Sequence, residues 1–108
     1  MKIKVFYQYY QNYYENRRKI REIVEKKLIN PKCDVLLIET PIKKKTCWTD
    51  IFIRKPEIAK EVRDKIEDKG IRVMSLIADD FLGWHSQDLI CFSTLARARK
   101  IRKILEQG

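Results

Sequence analysis

The sequence predicts a single α+β domain of the ferredoxin-like kind, a split βαβ antiparallel sheet with helices on one face and a short strand and helix added at the C-terminal end. The first observation behind this is the order of hydrophobic periodicities: strand, helix, strand, strand, helix, strand, then a short strand and a helix. The second is that three residues separate the second and third strands, a connection that favours antiparallel pairing. The third is length, since 108 residues fit one core. A parallel α/β sandwich is the alternative, because strands and helices alternate there too.

The first strand and the first helix are predicted from a change of period. Ile3 to Tyr9 mixes β-branched and aromatic residues, which is typical of a strand. From Tyr13 to Leu28 the apolar residues recur at helical spacing, and Asn30-Pro31 ends the helix. The apolar stripe of this helix consists of Ile20, Ile23, Val24 and Leu28.

Two apolar, β-branched runs, Asp34 to Ile42 and Thr46 to Arg54, flank three lysines and predict a hairpin with a basic tip. Pro56 suits the first turn of a second helix, which Gly70 ends. The remaining elements are a fourth strand at Ile71 to Ala78, a loop from Asp79 to Asp88, a short fifth strand at Leu89 to Phe92, and a last helix from Ser93 or Thr94 to Glu106.

The charge balance favours a polyanionic partner. The chain has 24 Lys and Arg against 15 Asp and Glu, a formal charge of +9.

No apolar run approaches the roughly 20 residues of a membrane-spanning helix, and the start lacks the apolar region of a signal peptide, so we expect a cytoplasmic protein without a membrane partner. Three cysteines without a C-x-x-C pair and one histidine, His85, predict no metal site.

Two basic clusters are the candidate contacts for nucleic-acid phosphates. The outer arc of the last helix has no acidic residue before Glu106. The hairpin tip provides a second cluster that could reach a groove, although a solvated turn explains it equally well. The residues concerned are Arg99, Lys100, Arg102 and Lys103 on the helix, and Lys43, Lys44 and Lys45 at the tip.

An aromatic sheet face is the third candidate contact. On the third strand Trp48 and Phe52 share one side with Arg54, while small and aliphatic residues occupy the side expected under the helices. Such a surface can stack unpaired bases. The layout resembles that of RNA-recognition-motif domains in architecture alone, because the glycine- and aromatic-rich signature of that family is absent from Thr46 to Arg54. The alternative is that the last helix or a second subunit covers these aromatics.

Catalysis is the less favoured hypothesis. Carboxylates near strands could bind magnesium, as a nuclease requires, and the candidates are Glu39, Asp50, Asp79 and Asp80. A nucleophilic tyrosine would need a paired-histidine metal site, so core packing or base stacking is the expected role of Tyr7, Tyr9, Tyr10, Tyr13 and Tyr14.

The residues together predict a small, non-enzymatic, basic protein that binds DNA or RNA as a homodimer, mainly through phosphates and with aromatic stacking as an additional contact. No cofactor is predicted. Two alternatives remain: a protein-interaction module or inhibitor of an acidic partner, and a magnesium-dependent nuclease.

Overall fold

The computed structural model describes residues 3–28, 34–53, 56–77 and 87–107. These residues form five strands and three α-helices, which confirms the α+β class. A 3-10 turn at Pro56–Ile58 leads into the second helix. In chain order the elements are β1 (Ile3–Tyr7), α1 (Tyr13–Leu28), β2 (Val35–Lys43), β3 (Thr46–Ile53), α2 (Ala59–Glu67), β4 (Val73–Ile77), β5 (Gln87–Thr94) and α3 (Leu95–Gln107).

The sheet differs from the predicted ferredoxin-like arrangement. Its strand order is β1-β2-β3-β5-β4, and β1 pairs with β2 in parallel while every other pair is antiparallel. The connection through α1 is long enough to return the chain parallel to β1, so a mixed sheet can form. β1 therefore lies at an edge, and β5 is a full strand of eight residues inserted between β3 and β4.

Helices cover both faces of the sheet, whereas one open face was predicted. On the first face α1 packs its Ile20 and Val24 against Leu36, Ile38 and Phe52 of the central strands. Neighbouring residues of a strand point to opposite faces, so this set alternates with the residues that contact the other two helices. We call this side the α1 face.

The opposite side, the α3 face, contains the larger core. Here α2 and α3 cover the small and aliphatic residues of β3, as the sequence predicted for Cys47, Ile51 and Ile53. The buried residues of this cluster are Val35, Leu37, Ile51, Ile53, Ala59, Val62, Ile66, Ile71, Val73, Leu89, Cys91, Ile101 and Leu105.

Several chain segments meet at one end of the sheet, which we call the hairpin end. The β2–β3 turn forms it, with Lys44 and Lys45 at its tip. The first backbone amide of α3, that of Leu95, donates to the carbonyl of Lys45 at 3.0 Å. The parallel strand β1 runs towards this end and stops about halfway along β2, where the amide of Gln8 donates to the carbonyl of Glu39 at 3.0 Å. The first turn of α1 then reaches β3 close to the turn, since the ring centres of Tyr13 and Trp48 are 6.0 Å apart. The starts of α1 and α3 therefore both lie towards the lysine-rich turn.

The predicted helix signals are confirmed where the structure describes them. The hydroxyl of Thr94 accepts a hydrogen bond from the amide of Arg97 at 3.2 Å, as an N-cap does. Gly70 follows α2 with φ of +79°, a conformation that favours glycine. No helix among the described residues combines the length and the apolar character needed to span a bilayer.

Candidate nucleic-acid interface

Exposed cations on the hairpin tip and on α3 form the first surface. We call this set the basic strip. The hydrogen bond between Leu95 and Lys45 joins its two parts, because it places the start of α3 directly against the turn. The basic strip consists of Lys43, Lys44, Lys45, Arg97, Arg99, Lys100 and Lys103, and each of these residues is exposed.

The periodicity of α3 explains why its cations face outward. Ala98, Ile101 and Leu105 are buried at 2%, 0% and 1% exposure, so they fix the inner side of the helix. Residues three and four positions apart on the outer side lie about 5–6 Å from one another. The first turn of α3 contains no acidic residue, so the partial positive charge of its N-terminus adds to that of the lysines beside it.

Arg102, the fourth predicted contact on this helix, has a different role. Its guanidinium donates hydrogen bonds to the carboxylate of Glu39 and to the hydroxyl of Tyr7, and it lies 5.3 Å from the centre of the Tyr7 ring. Burial lowers the pKa of Arg102, but the hydrogen bonds to Glu39 and Tyr7 outweigh this effect and the net shift is upward. The charge of Arg102 is therefore committed to holding α3 on the sheet.

A second arginine–carboxylate pair lies on the α1 face. The guanidinium of Arg17 contacts the carboxylate of Asp50 at 2.7 Å, and Asp50 is 1% exposed. Asp50 and Glu39 belong to adjacent strands but point to opposite faces, since Asp50 pairs with Ile38 and Glu39 pairs with Thr49.

This arrangement bears on the predicted magnesium ligands. Glu39 and Asp50 lie on opposite sides of the sheet and each contacts an arginine, so the two cannot converge on one metal ion. Asp79 and Asp80 lie outside the described residues. Within the part of the chain that the structure describes, no three or more Asp, Glu, His or Cys residues are grouped as metal ligands.

The three arginines of α1 form ion pairs, Arg17 with Asp50 as described above and the other two within the helix. Arg18 forms an ion pair with Glu15, and Arg21 lies 3.4 Å from Glu25. The hydrogen bond and charge of Glu15 raise the pKa of Arg18. The basic residues of α1 therefore add less net positive charge than their number suggests.

Four aromatic rings form the second surface, on the α1 face at the hairpin end. The ring centres of Tyr14 and Tyr13 are 5.5 Å apart, those of Tyr13 and Trp48 are 6.0 Å apart, and those of Trp48 and Phe92 are 6.4 Å apart. We call this row the aromatic ladder. Tyr14 is 83% exposed, Phe92 is 58% exposed and Tyr13 is 49% exposed.

The aromatic ladder replaces the predicted platform. Trp48 belongs to it, but Phe52 is 1% exposed beneath α1, so the prediction that Phe52 faces solvent is wrong. Arg54 lies outside the described residues. Of the two roles predicted for the tyrosines, core packing is wrong, because the large exposed side chains include Tyr7, Tyr9, Tyr10, Tyr13 and Tyr14. Base stacking stays a prediction.

Two hydrogen-bond donors lie under the middle of the ladder. A small cavity between α1 and the sheet is lined by Tyr13, Asn16 and Trp48 among others. Asn16 is 5% exposed, and neither its Nδ2 nor the Nε1 of Trp48 has a partner among the described residues. The oxygen of the Asn16 side chain accepts from the amide of Gln11 at 2.9 Å, which fixes the orientation of the amide group.

The proximity of the four rings in the ladder could not be predicted from the sequence. Tyr13 and Trp48 are separated by 35 positions, and they meet because α1 returns over the end of β3. Phe92 enters the row because β5 pairs with β3 and places Phe92 opposite Trp48. The sequence did not show that β5 pairs with β3 inside the sheet. The fifth strand was predicted as a short addition at the C-terminal end, so Phe92 was not placed beside Trp48.

Comparisons with known proteins do not indicate a function, so the function is inferred from the fold and from these two surfaces. No protein-family model matches the chain, and the searches of curated proteins and of solved structures return no match.

Proposed function

We propose that this protein binds nucleic acid by contacting the phosphate backbone through the basic strip. The observation that supports the proposal most directly is the junction of the hairpin tip with α3, which turns two separate runs of the sequence into one surface. Exposed cations with no acidic residue between Arg97 and Lys103 on the helix are complementary to a polyphosphate chain.

The expected mode of binding depends little on sequence. Lysine and arginine contacts to phosphates release condensed counterions, so affinity falls steeply as salt rises. Each phosphate contact contributes about 0.9 to the slope of log affinity against log salt for duplex DNA. A strip of this size predicts a slope of several units.

Substitutions that remove positive charge from α3 test the proposal. We expect Arg99→Gln with Lys103→Gln to weaken binding of unrelated sequences to a similar extent, by at least roughly tenfold, and to flatten the salt slope by about one to two units. The matched control is Lys60→Gln with Lys69→Gln, which removes two exposed cations on and just after α2. Fluorescence anisotropy with labelled oligonucleotides over a salt series measures both quantities.

A third variant tests the other part of the strip. Replacing Lys43, Lys44 and Lys45 by glutamine leaves the strands intact, and we expect the same loss of affinity and slope. Equal losses in the control variant on α2 would contradict the proposal, because they would show an effect of net charge without a site.

Competition separates nucleic acid from the alternative of an acidic protein partner. Polyglutamate of matched charge carries carboxylates at a different spacing from phosphates, and we expect it to displace a bound oligonucleotide poorly. Equal competition by polyglutamate, or no binding of any oligonucleotide at low salt, would reject the proposal.

A further inference from the structure

We infer that the aromatic ladder is a base-stacking platform, and that the nucleic acid recognised here is therefore single-stranded. This inference rests on the proposed function, which concerns phosphate contacts and is indifferent to strandedness. The ladder adds a surface that only unpaired bases can use.

The spacing of the rings favours an extended, unpaired strand. Successive ring centres are 5.5, 6.0 and 6.4 Å apart. Base pairs in a duplex repeat about every 3.4 Å and hide their faces from a protein. Consecutive bases can meet consecutive rings of the ladder only where the strand is unstacked and its bases are splayed out.

The orientation of the rings leaves their faces available. Tyr13 and Tyr14 meet at an interplanar angle of 84°, and Trp48 and Phe92 meet at 88°. In such edge-to-face pairs at least one ring face is turned away from its neighbour. The exposure of Tyr14 and Phe92, at the two ends of the row, shows that the ladder is open at both ends.

The position of the ladder also connects it with the basic strip. Trp48 lies three residues from Lys45 along the chain, so roughly 10 Å of strand separates the ring from the lysine-rich turn. A strand whose bases lie on the α1 face can thus place its phosphates on the turn. A second copy of this chain is the competing occupant, and it would bring two domains of charge +9 together at their lysine-rich turns.

Leucine substitutions test the stacking directly, because leucine keeps apolar area but removes the π face. We expect Tyr14→Leu with Phe92→Leu to lower affinity for a 20-nucleotide oligo-dT by about 10–100-fold and to leave affinity for a 20-base-pair duplex within about twofold. The matched control is Tyr9→Leu, since Tyr9 is 85% exposed, close to the 83% of Tyr14, and lies outside the ladder. Thermal unfolding by circular dichroism verifies that the variants fold.

Fluorescence gives an independent measurement of contact. In a Trp84→Phe background Trp48 is the single tryptophan of the chain. We expect oligo-dT to quench and shift its emission, and duplex DNA of equal phosphate content to leave it nearly unchanged.

The outcomes distinguish this inference from the function on which it rests. Unchanged oligo-dT affinity in the leucine variant would overturn the inference, and so would a change from dimer to monomer in sedimentation, which would identify a second copy as the occupant. If the basic-strip variants lose all nucleic acids alike while the leucine variant loses none, phosphate binding stands and base stacking fails. If the leucine variant alone loses oligo-dT, stacking stands without the proposed strip.

Discussion

Two carboxylates sit in the middle strands of the sheet, where water cannot reach them. Glu39 is 3% exposed and Asp50 is 1% exposed, and an arginine from a covering helix contacts each. Transferring a charged group out of water is unfavourable unless it is paired, so each carboxylate requires its arginine. The two pairs therefore anchor α1 and α3 to opposite faces of the sheet.

Removing one member of such a pair is expected to destabilise the fold. We predict that Arg102→Met lowers the free energy of unfolding by roughly 3 kcal/mol, because Glu39 is left buried with no cation. Adding Glu39→Gln to this variant should restore part of the loss. Urea denaturation measures both effects, and a double variant no more stable than Arg102→Met would contradict the explanation.

A buried thiol provides a prediction with a pH dependence. Burial raises the pKa of Cys47 and outweighs a hydrogen bond with Thr49 that lowers it, and the charge of Glu39 adds a smaller increase. Less thiolate is therefore present at pH 8 than for a free cysteine, and the rate of alkylation should reach its midpoint at a higher pH in the folded protein than in urea.

Peptide mapping by mass spectrometry resolves Cys47 from the other two cysteines in this experiment. Rates of iodoacetamide labelling between pH 7 and pH 10.5 give the midpoint in each state. A folded midpoint at or below that of the unfolded chain would show that the thiol is stabilised as its anion.

At the scale of the elements, local signals predicted the helices well. The spacing of apolar residues predicted α1 with the bounds that it has, Tyr13–Leu28, because periodicity and the following proline are properties of neighbouring residues. The same holds for the lysine-rich hairpin and for Gly70. In contrast, strand order depends on which distant edges pair, and no local pattern encodes it.

The misplacement of Phe52 follows from that difference. Alternation along β3 correctly separated Trp48 and Phe52 from the aliphatic residues. The error concerned the position of α1, which covers the face that a ferredoxin-like sheet leaves open. It buries Phe52, while Trp48 is half-buried beside Tyr13 of α1.

The start of α3 offers an element-scale prediction. Thr94→Ala removes the hydroxyl that accepts from the amide of Arg97, and we expect a loss of about 1 kcal/mol in the free energy of unfolding. Thr94→Ser retains the acceptor and serves as the control. Equal thermal stability of the alanine and serine variants would show that the cap contributes nothing.

At the scale of the whole molecule, stability should decrease from the centre of the sheet to its edges. β2, β3 and β5 are the inner strands, and Val35 to Ile38 of β2 have 0% exposure, whereas β1 is an edge strand whose residues are half-buried or exposed. We predict that amide hydrogen exchange is slowest in β2 and β3 and markedly faster in β1. Faster exchange in β3 than in β1 would contradict the proposed strand order.

The direction of the chain at the hairpin end has a practical consequence. β1 begins at the far end of the sheet, and α3 leaves the lysine-rich turn and extends for about 20 Å, the length of its 13 residues. A linker attached before β1 or after α3 therefore joins the molecule on the side away from the turn. On a biosensor chip, immobilisation through either linker would present the lysines and the tyrosines to the solution.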